Sequence, residues 1–121
     1  MATVRYLVKQ VDESVKFYTE SLGFDLKQQF GPAMAMVTKG DLTLWLAGPP
    51  SSAAQAMPDG AKPVPGGWNR FVVQVEDLGG LVATLKSQGV RFRNEILKGP
   101  GGSQILCEDP SGNVIELFQP A

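Results

Sequence analysis

No histidine occurs in the 121-residue chain. The commonest general base, the usual zinc ligand and every imidazole-dependent triad are therefore missing. The one cysteine, Cys107, has no histidine to activate it and nothing nearby that would favour its thiolate, so it reads as a core thiol. Gly99-Pro100-Gly101-Gly102 is glycine-rich but precedes a strand. It lacks the helix N-terminus that makes a phosphate cradle, and reads as a turn or a mobile lip. Met34 and Met36 alternate along one hairpin arm, and methionines fill cores more often than they line binding sites. Which face they take depends on strand register and stays open here.

The composition narrows the class. Hydrophobic residues make up 43% and charged residues 19%, the balance of a folded globular chain of one domain. A formal net charge of -1 offers no global field for nucleic acid or an anionic membrane. No run of about 18 apolar residues is present, which argues against a membrane span. The first residues, MATVRYLV, enter a strand pattern at once without a signal-sequence pattern, and a lone cysteine cannot form an internal disulfide. A cytoplasmic location is the resulting expectation.

Alternation and helical spacing organise the chain into a unit that occurs twice. Thr3 to Val8 reads as a strand, with Val4, Tyr6 and Val8 on one face and Thr3, Arg5 and Leu7 on the other. A helix follows, with Asp12 as N-cap, Val15, Tyr18 and Leu22 at helical spacing, and Gly23 past its end. Phe24 to Phe30 has weak strand character and Gly31-Pro32 breaks it. Ala33 to Val37 and Leu42 to Leu46 then form a hairpin in which Thr43 and Trp45 share one face. From residue 48 to 67 the pattern is lost among prolines 49, 50, 58, 63 and 65, as in a linker or binding loop. Arg70 to Val75 resumes strand alternation, with Arg70, Val72 and Gln74 on one face. Asp77 caps a helix whose stripe is Leu78, Leu81, Val82 and Leu85. Val90 to Ile96 reads as a strand, and Ser103 to Cys107 with Asn113 to Phe118 as a hairpin around Asp109-Pro110-Ser111-Gly112. This predicts an α+β chain of two tandem βαβββ modules, residues 1–47 and 68–121, joined by a 48–67 linker. Curled together, the two sheets would make an open, barrel-like, cup-shaped mixed sheet with helices outside, a concave form that suits a ligand.

Three segments carry a resemblance to a known family. They are Val15-Lys16-Phe17-Tyr18 with Leu22-Gly23-Phe24, then Val75-Glu76-Asp77-Leu78 with Gly89-Val90, and the ending from Glu108 to Phe118, which fits the pattern D-P-x-G-x-x-I/V-E-L. The chain resembles the vicinal oxygen chelate superfamily of glyoxalase I, bleomycin-resistance proteins, fosfomycin-resistance enzymes and extradiol dioxygenases. The resemblance implies one glyoxalase/bleomycin-resistance-like domain over residues 1–121, and a homodimer, as in many members. Its enzymes hold a divalent metal through four positions, two per module. Those positions fall at Thr3, Trp45, Arg70 and Glu116. Only Glu116 is a good ligand, and one carboxylate is too few for a Lewis-acid metal. No cofactor is expected.

At these positions the resemblance puts other chemistry. Arg70 can stand in for the cation as a bidentate partner of Glu116, either as a structural salt bridge or as a group with donors left for a ligand. Trp45 is either a stacking wall for a flat guest or a core residue. Trp68, at the end of the linker, would line the mouth of the cup, a dimer seam or the core. Arg5, Gln74, Arg70 and Glu116 make a mixed polar wall. The leading function is therefore a small-molecule binding protein that uses Arg5, Trp45, Trp68, Arg70, Gln74 and Glu116 without chemistry. The alternatives are a metal-independent enzyme in which Glu116, the one catalytic candidate, is acid or base; a lyase, isomerase or dioxygenase with an atypical metal at Glu116; and a relative with no ligand.

Overall fold

The computed structural model describes residues 2–121, and these divide into two compact units that meet in sequence at Gly66 and Gly67. Each unit carries one four-stranded mixed sheet and a helix.

In the first unit, β1 (Ala2–Leu7) leads to α1 (Val11–Lys16), which continues into a π-helical turn at Phe17–Ser21. Strands β2 (Asp25–Phe30), β3 (Met34–Lys39) and β4 (Leu42–Ala47) follow. The order is β1-β4-β3-β2, with β1 parallel to β4 and the other pairs antiparallel. A parallel neighbour requires a crossover, and α1 supplies it. One sheet face is apolar by alternation: Tyr6, Val8, Ala35, Val37, Leu44 and Leu46 are all buried. The helix meets this face with Val11, Phe17, Tyr18 and Leu22. Burying both Phe17 and its neighbour Tyr18 is unusual for a regular helix, whose consecutive residues point about 100° apart. The π turn adds a residue to the final turn and widens the buried arc. Tyr18 then lies edge-on to Phe17 at 5.1 Å and to Phe24 at 5.4 Å.

The expected cap of this helix is corrected. Gln10, in an extended conformation, occupies the cap position without a side-chain hydrogen bond, and Asp12 sits inside the first turn. Its Oδ1 accepts from Gln29 Nε2 at 2.6 Å, so Asp12 ties α1 to β2 while complementing the helix dipole.

In the second unit, β5 (Phe71–Gln74) leads to α2 (Leu78–Ser87), then β6 (Leu97–Gly99), β7 (Gly102–Glu108) and β8 (Val114–Pro120). The order β5-β8-β7-β6 repeats that of the first unit. Asp77 caps α2 as expected, accepting from Gly80 N–H at 3.1 Å. Leu78, Val82 and Leu85 are buried, and Leu81 only half so. The strand expected at Val90–Ile96 is also corrected. That segment makes a single bridge, Phe92 to Cys107, and the regular strand comes later at Leu97–Gly99. The cause is Asn94: its Oδ1 accepts the Leu106 N–H at 2.9 Å. A side-chain amide thus takes the place of a ladder carbonyl and interrupts the pairing.

The closing turn is held from within. Asp109 Oδ1 accepts from the N–H groups of Ser111 and Asn113, both at 2.9 Å, and Oδ2 accepts from Asn113 Nδ2 at 3.0 Å. Asp109, Ser111 and Asn113 are buried together. The Asp-Pro-Ser-Gly-Asn run is therefore turn chemistry, with Gly112 at φ +87°.

Candidate functional site

Each sheet has a second face, without a helix of its own unit, and register decides what stands on it. In the first unit three rows cross the strands. Arg5 pairs with Trp45, Trp45 with Met36, and Met36 with Gln28. On one side lies Thr3–Thr43–Thr38–Asp25, and on the other Leu7–Ala47–Met34–Phe30. Polar, mixed and apolar rows thus succeed one another. The guanidinium of Arg5 sits over the Trp45 ring, 5.0 Å from its centroid. Trp45 is half-buried and Arg5 exposed. The facing of Met34 and Met36, open from sequence alone, is settled: both share the Trp45 side.

In the second unit the corresponding face carries the rows Val72–Glu116–Leu106 and Gln74–Phe118–Gln104–Leu97. Arg70 precedes β5 by one residue and reaches Glu116. Its Nε and Nη2 both donate to Oε1, at 3.0 and 2.9 Å, and its Nη1 donates to Trp68 O at 3.3 Å. The pair is therefore a fork onto one oxygen, not the expected bidentate arrangement on two. Oε2 receives no protein donor among the described residues, although the Glu116 side chain is only 12% exposed. Gln74 lies one row further along, exposed beside half-buried Phe118. A hollow of about 280 Å³ opens next to it, walled by Phe118, Gln104, Leu97 and the Gly99–Gly102 hairpin. Trp68 does not join Gln74. It is 67% exposed, and its ring lies 4.5 Å from the Arg93 guanidinium. Arg93 in turn donates to Glu108 Oε2 at 2.9 Å, Gly67 O at 2.8 Å and Gly112 O at 3.1 Å.

The structure thus brings Arg5 to Trp45 and Arg70 to Glu116, and leaves Trp68 exposed against Arg93. Sequence reasoning named neither Arg93 nor Phe118 nor Gln104 as site residues. Phe118 and Gln104 share the alternation of Glu116 and Gln74 and were readable once strand pairing was known. Arg93 lay in a segment read as a plain strand, and no spacing marked it.

The donor set does not fit a divalent cation. No three His, Cys, Asp or Glu side chains come together as ligands among the described residues. At the four positions the resemblance points to, Thr3, Trp45 and Arg70 cannot replace carboxylate or imidazole, and Arg70 already engages Glu116 Oε1. Cys107 is fully buried, and burial with Asp109 nearby pushes its thiol up to about 12, so no thiolate is at hand. No helix among the described residues is long and apolar enough to cross a membrane.

Comparison with known proteins agrees with this architecture. Among curated proteins none matches the chain. Of solved structures, TnmS3, an antibiotic binding protein from Streptomyces sp. CB03234, is 28% identical at a TM-score of 0.73, covering 98% of this chain and 93% of that one. A superfamily member from Sphaerobacter thermophilus is 24% identical at 0.78, covering 98% and 95%. Lactoylglutathione lyase from Agrobacterium tumefaciens shares the fold at 0.74 with 16% identity, covering 98% and 92%. The family model for the Glyoxalase/Bleomycin resistance protein/Dioxygenase superfamily matches residues 1–117, and the chain belongs to that superfamily.

Proposed function

We propose that the chain is a binding protein that holds a small, flat or apolar organic molecule on its helix-free sheet faces, without a catalytic metal. The observation that carries this reading is the make-up of those faces. The first unit's face joins an indole, two methionines and a phenylalanine to a few polar groups, and the second unit's sets a phenylalanine beside Gln74 and Glu116, the usual composition of organic-ligand sites. The same faces hold one carboxylate at the positions where the superfamily's enzymes hold metal. The 28% identity to an antibiotic binding protein supports the reading. In this view each unit's face offers its own guest contacts, Arg5 and Trp45 in the first and Arg70, Gln74 and Glu116 with Trp68 in the second. The two modules work as one domain, and a homodimer is the working form.

The test uses Trp68→Phe, which leaves Trp45 as the sole indole. Saturable quenching of its fluorescence by members of a panel of flat aromatic compounds is the expected result. No quenching by any of them up to millimolar concentration sinks the proposal.

A metal-independent enzyme is the second reading, and it rests on the unengaged Oε2 of Glu116 at a nearly buried site. Such an enzyme would use this oxygen as a general base. Glu116→Gln would then abolish turnover of any substrate found, whereas a pure binder has no rate to lose.

A further inference from the structure

Arg5 differs from the other arginines of the faces described above. Arg70 has its charge matched by Glu116, and Arg93 by Glu108. Arg5 has an indole at 5.0 Å and no acidic partner among the described residues. A ring contact draws on the cation's charge but consumes none of its N–H donors, so the guanidinium fork is left for an acceptor. The acidic residue on the same face, Asp25, stands at the opposite edge of the sheet, because β1 and β2 are separated by β4 and β3. Three strand spacings put it roughly 14 Å away, beyond a Debye length at physiological salt.

The rows beside Arg5 complete the picture. Leu7, Ala47, Met34 and Phe30 form an apolar strip along one side, with Phe30 51% exposed. Along the other side the hydroxyls of Thr3, Thr43 and Thr38 have no protein partner among the described residues. An unmatched cation on an aromatic platform thus stands between an apolar strip and a line of hydroxyls.

Building on the binding reading above, we propose that the helix-free face of the first module selects a planar organic anion. Its carboxylate, or an equivalent acid, takes the fork of Arg5, and its apolar body lies along Leu7, Met34 and Phe30. Trp45 is the platform that holds the guanidinium in place. The chain's formal net charge of -1 gives no general attraction for anions, so the preference is local to Arg5.

Equilibrium dialysis of the full chain at pH 7 tests this. The probes are naphthalene-2-carboxylate and anthraquinone-2-carboxylate, each beside its primary amide, with the wild type, Arg5→Gln and Arg5→Lys. The wild type should bind each acid about tenfold more tightly than its amide, the size of one charge-assisted pair. In Arg5→Gln each acid should bind no more tightly than its amide does in the same variant, while Arg5→Lys keeps part of the preference. Equal affinities in the wild type, or a preference that survives Arg5→Gln, overturn the anion assignment and leave the binding reading standing. Amides and acids that all fail to bind at millimolar concentration overturn both.

Discussion

Cys107 shows what position does to a reactive group. Its side chain is completely buried, and the thiol is pushed up to about 12, first by burial and then by Asp109. In the unfolded chain the same group ionises near 9.0. The folded state therefore holds the proton more tightly. Its contribution to stability is fully present below about pH 9 and is lost as pH rises from there toward 12. Urea unfolding at a series of alkaline pH values should show a decline of up to about 1.4 kcal/mol per pH unit in that window. Cys107→Val should flatten it, and an equal decline in the variant would rule out the thiol as its source. Glu116 lies at the other extreme of legibility. Its strand followed from alternation and its arginine partner from the positions that the resemblance implies, and β5, running parallel to β8, sets the two side by side. The fork onto a single oxygen did not follow, since that depends on how the arginine also reaches Trp68 O. Arg5 and Trp45 were both named from the sequence. Their stacking needed the register that sets them opposite each other.

At the scale of elements, two glycines with no outward difference in sequence have opposite tolerances. Gly48 leaves β4 where the chain passes close to the β2–β3 turn, and it donates to Ala33 O at 2.8 Å. A Cβ there would run into the carbonyl oxygen of Pro32 and a methyl of Val11. Gly79 lies in the first turn of α2, exposed, with nothing near the place a Cβ would take. Gly48→Ala should therefore cost about 1–3 kcal/mol through forced backbone shifts, while Gly79→Ala should add about 0.5–1 kcal/mol by restricting the unfolded chain. Denaturation midpoints of the two variants check both signs, and a neutral Gly48→Ala would contradict the close approach. The element order, the repeated topology and the closing turn were legible because they rest on period-two alternation, helical spacing and Asp-Pro-x-Gly chemistry. The displaced β6, the cap at Gln10 and the π turn were not. Each depends on one side chain finding a distant partner, as Asn94 finds Leu106 N–H and Asp12 finds Gln29, or on the packing of adjacent aromatics.

At the scale of the whole molecule, membership of a superfamily with metal-dependent enzymes meets a chain that lacks their ligands. Fold and ligand count are separate properties, since the first is set by buried faces and the second by a few positions on the opposite ones. Thermal stability can tell them apart without any knowledge of a substrate. A metal bound only by the folded chain stabilises it by RT ln(1 + [metal]/Kd), which is about 4.1 kcal/mol at a thousandfold excess over Kd. For a chain of this length that would raise Tm by on the order of 10 °C or more. With Arg70 engaged on Oε1 and no second carboxylate or imidazole to assist Glu116, zinc, manganese, nickel or ferrous iron has too few donors for such a site. Melting curves in chelator and in millimolar metal should therefore coincide within about 1–2 °C, well short of the shift a tight site requires. Removing the competing cation should not create a site either, because Arg70→Ala still leaves Glu116 alone. A large metal-dependent rise in the wild type would mean that ligands are recruited from elsewhere, and the binding reading would give way to a metalloenzyme.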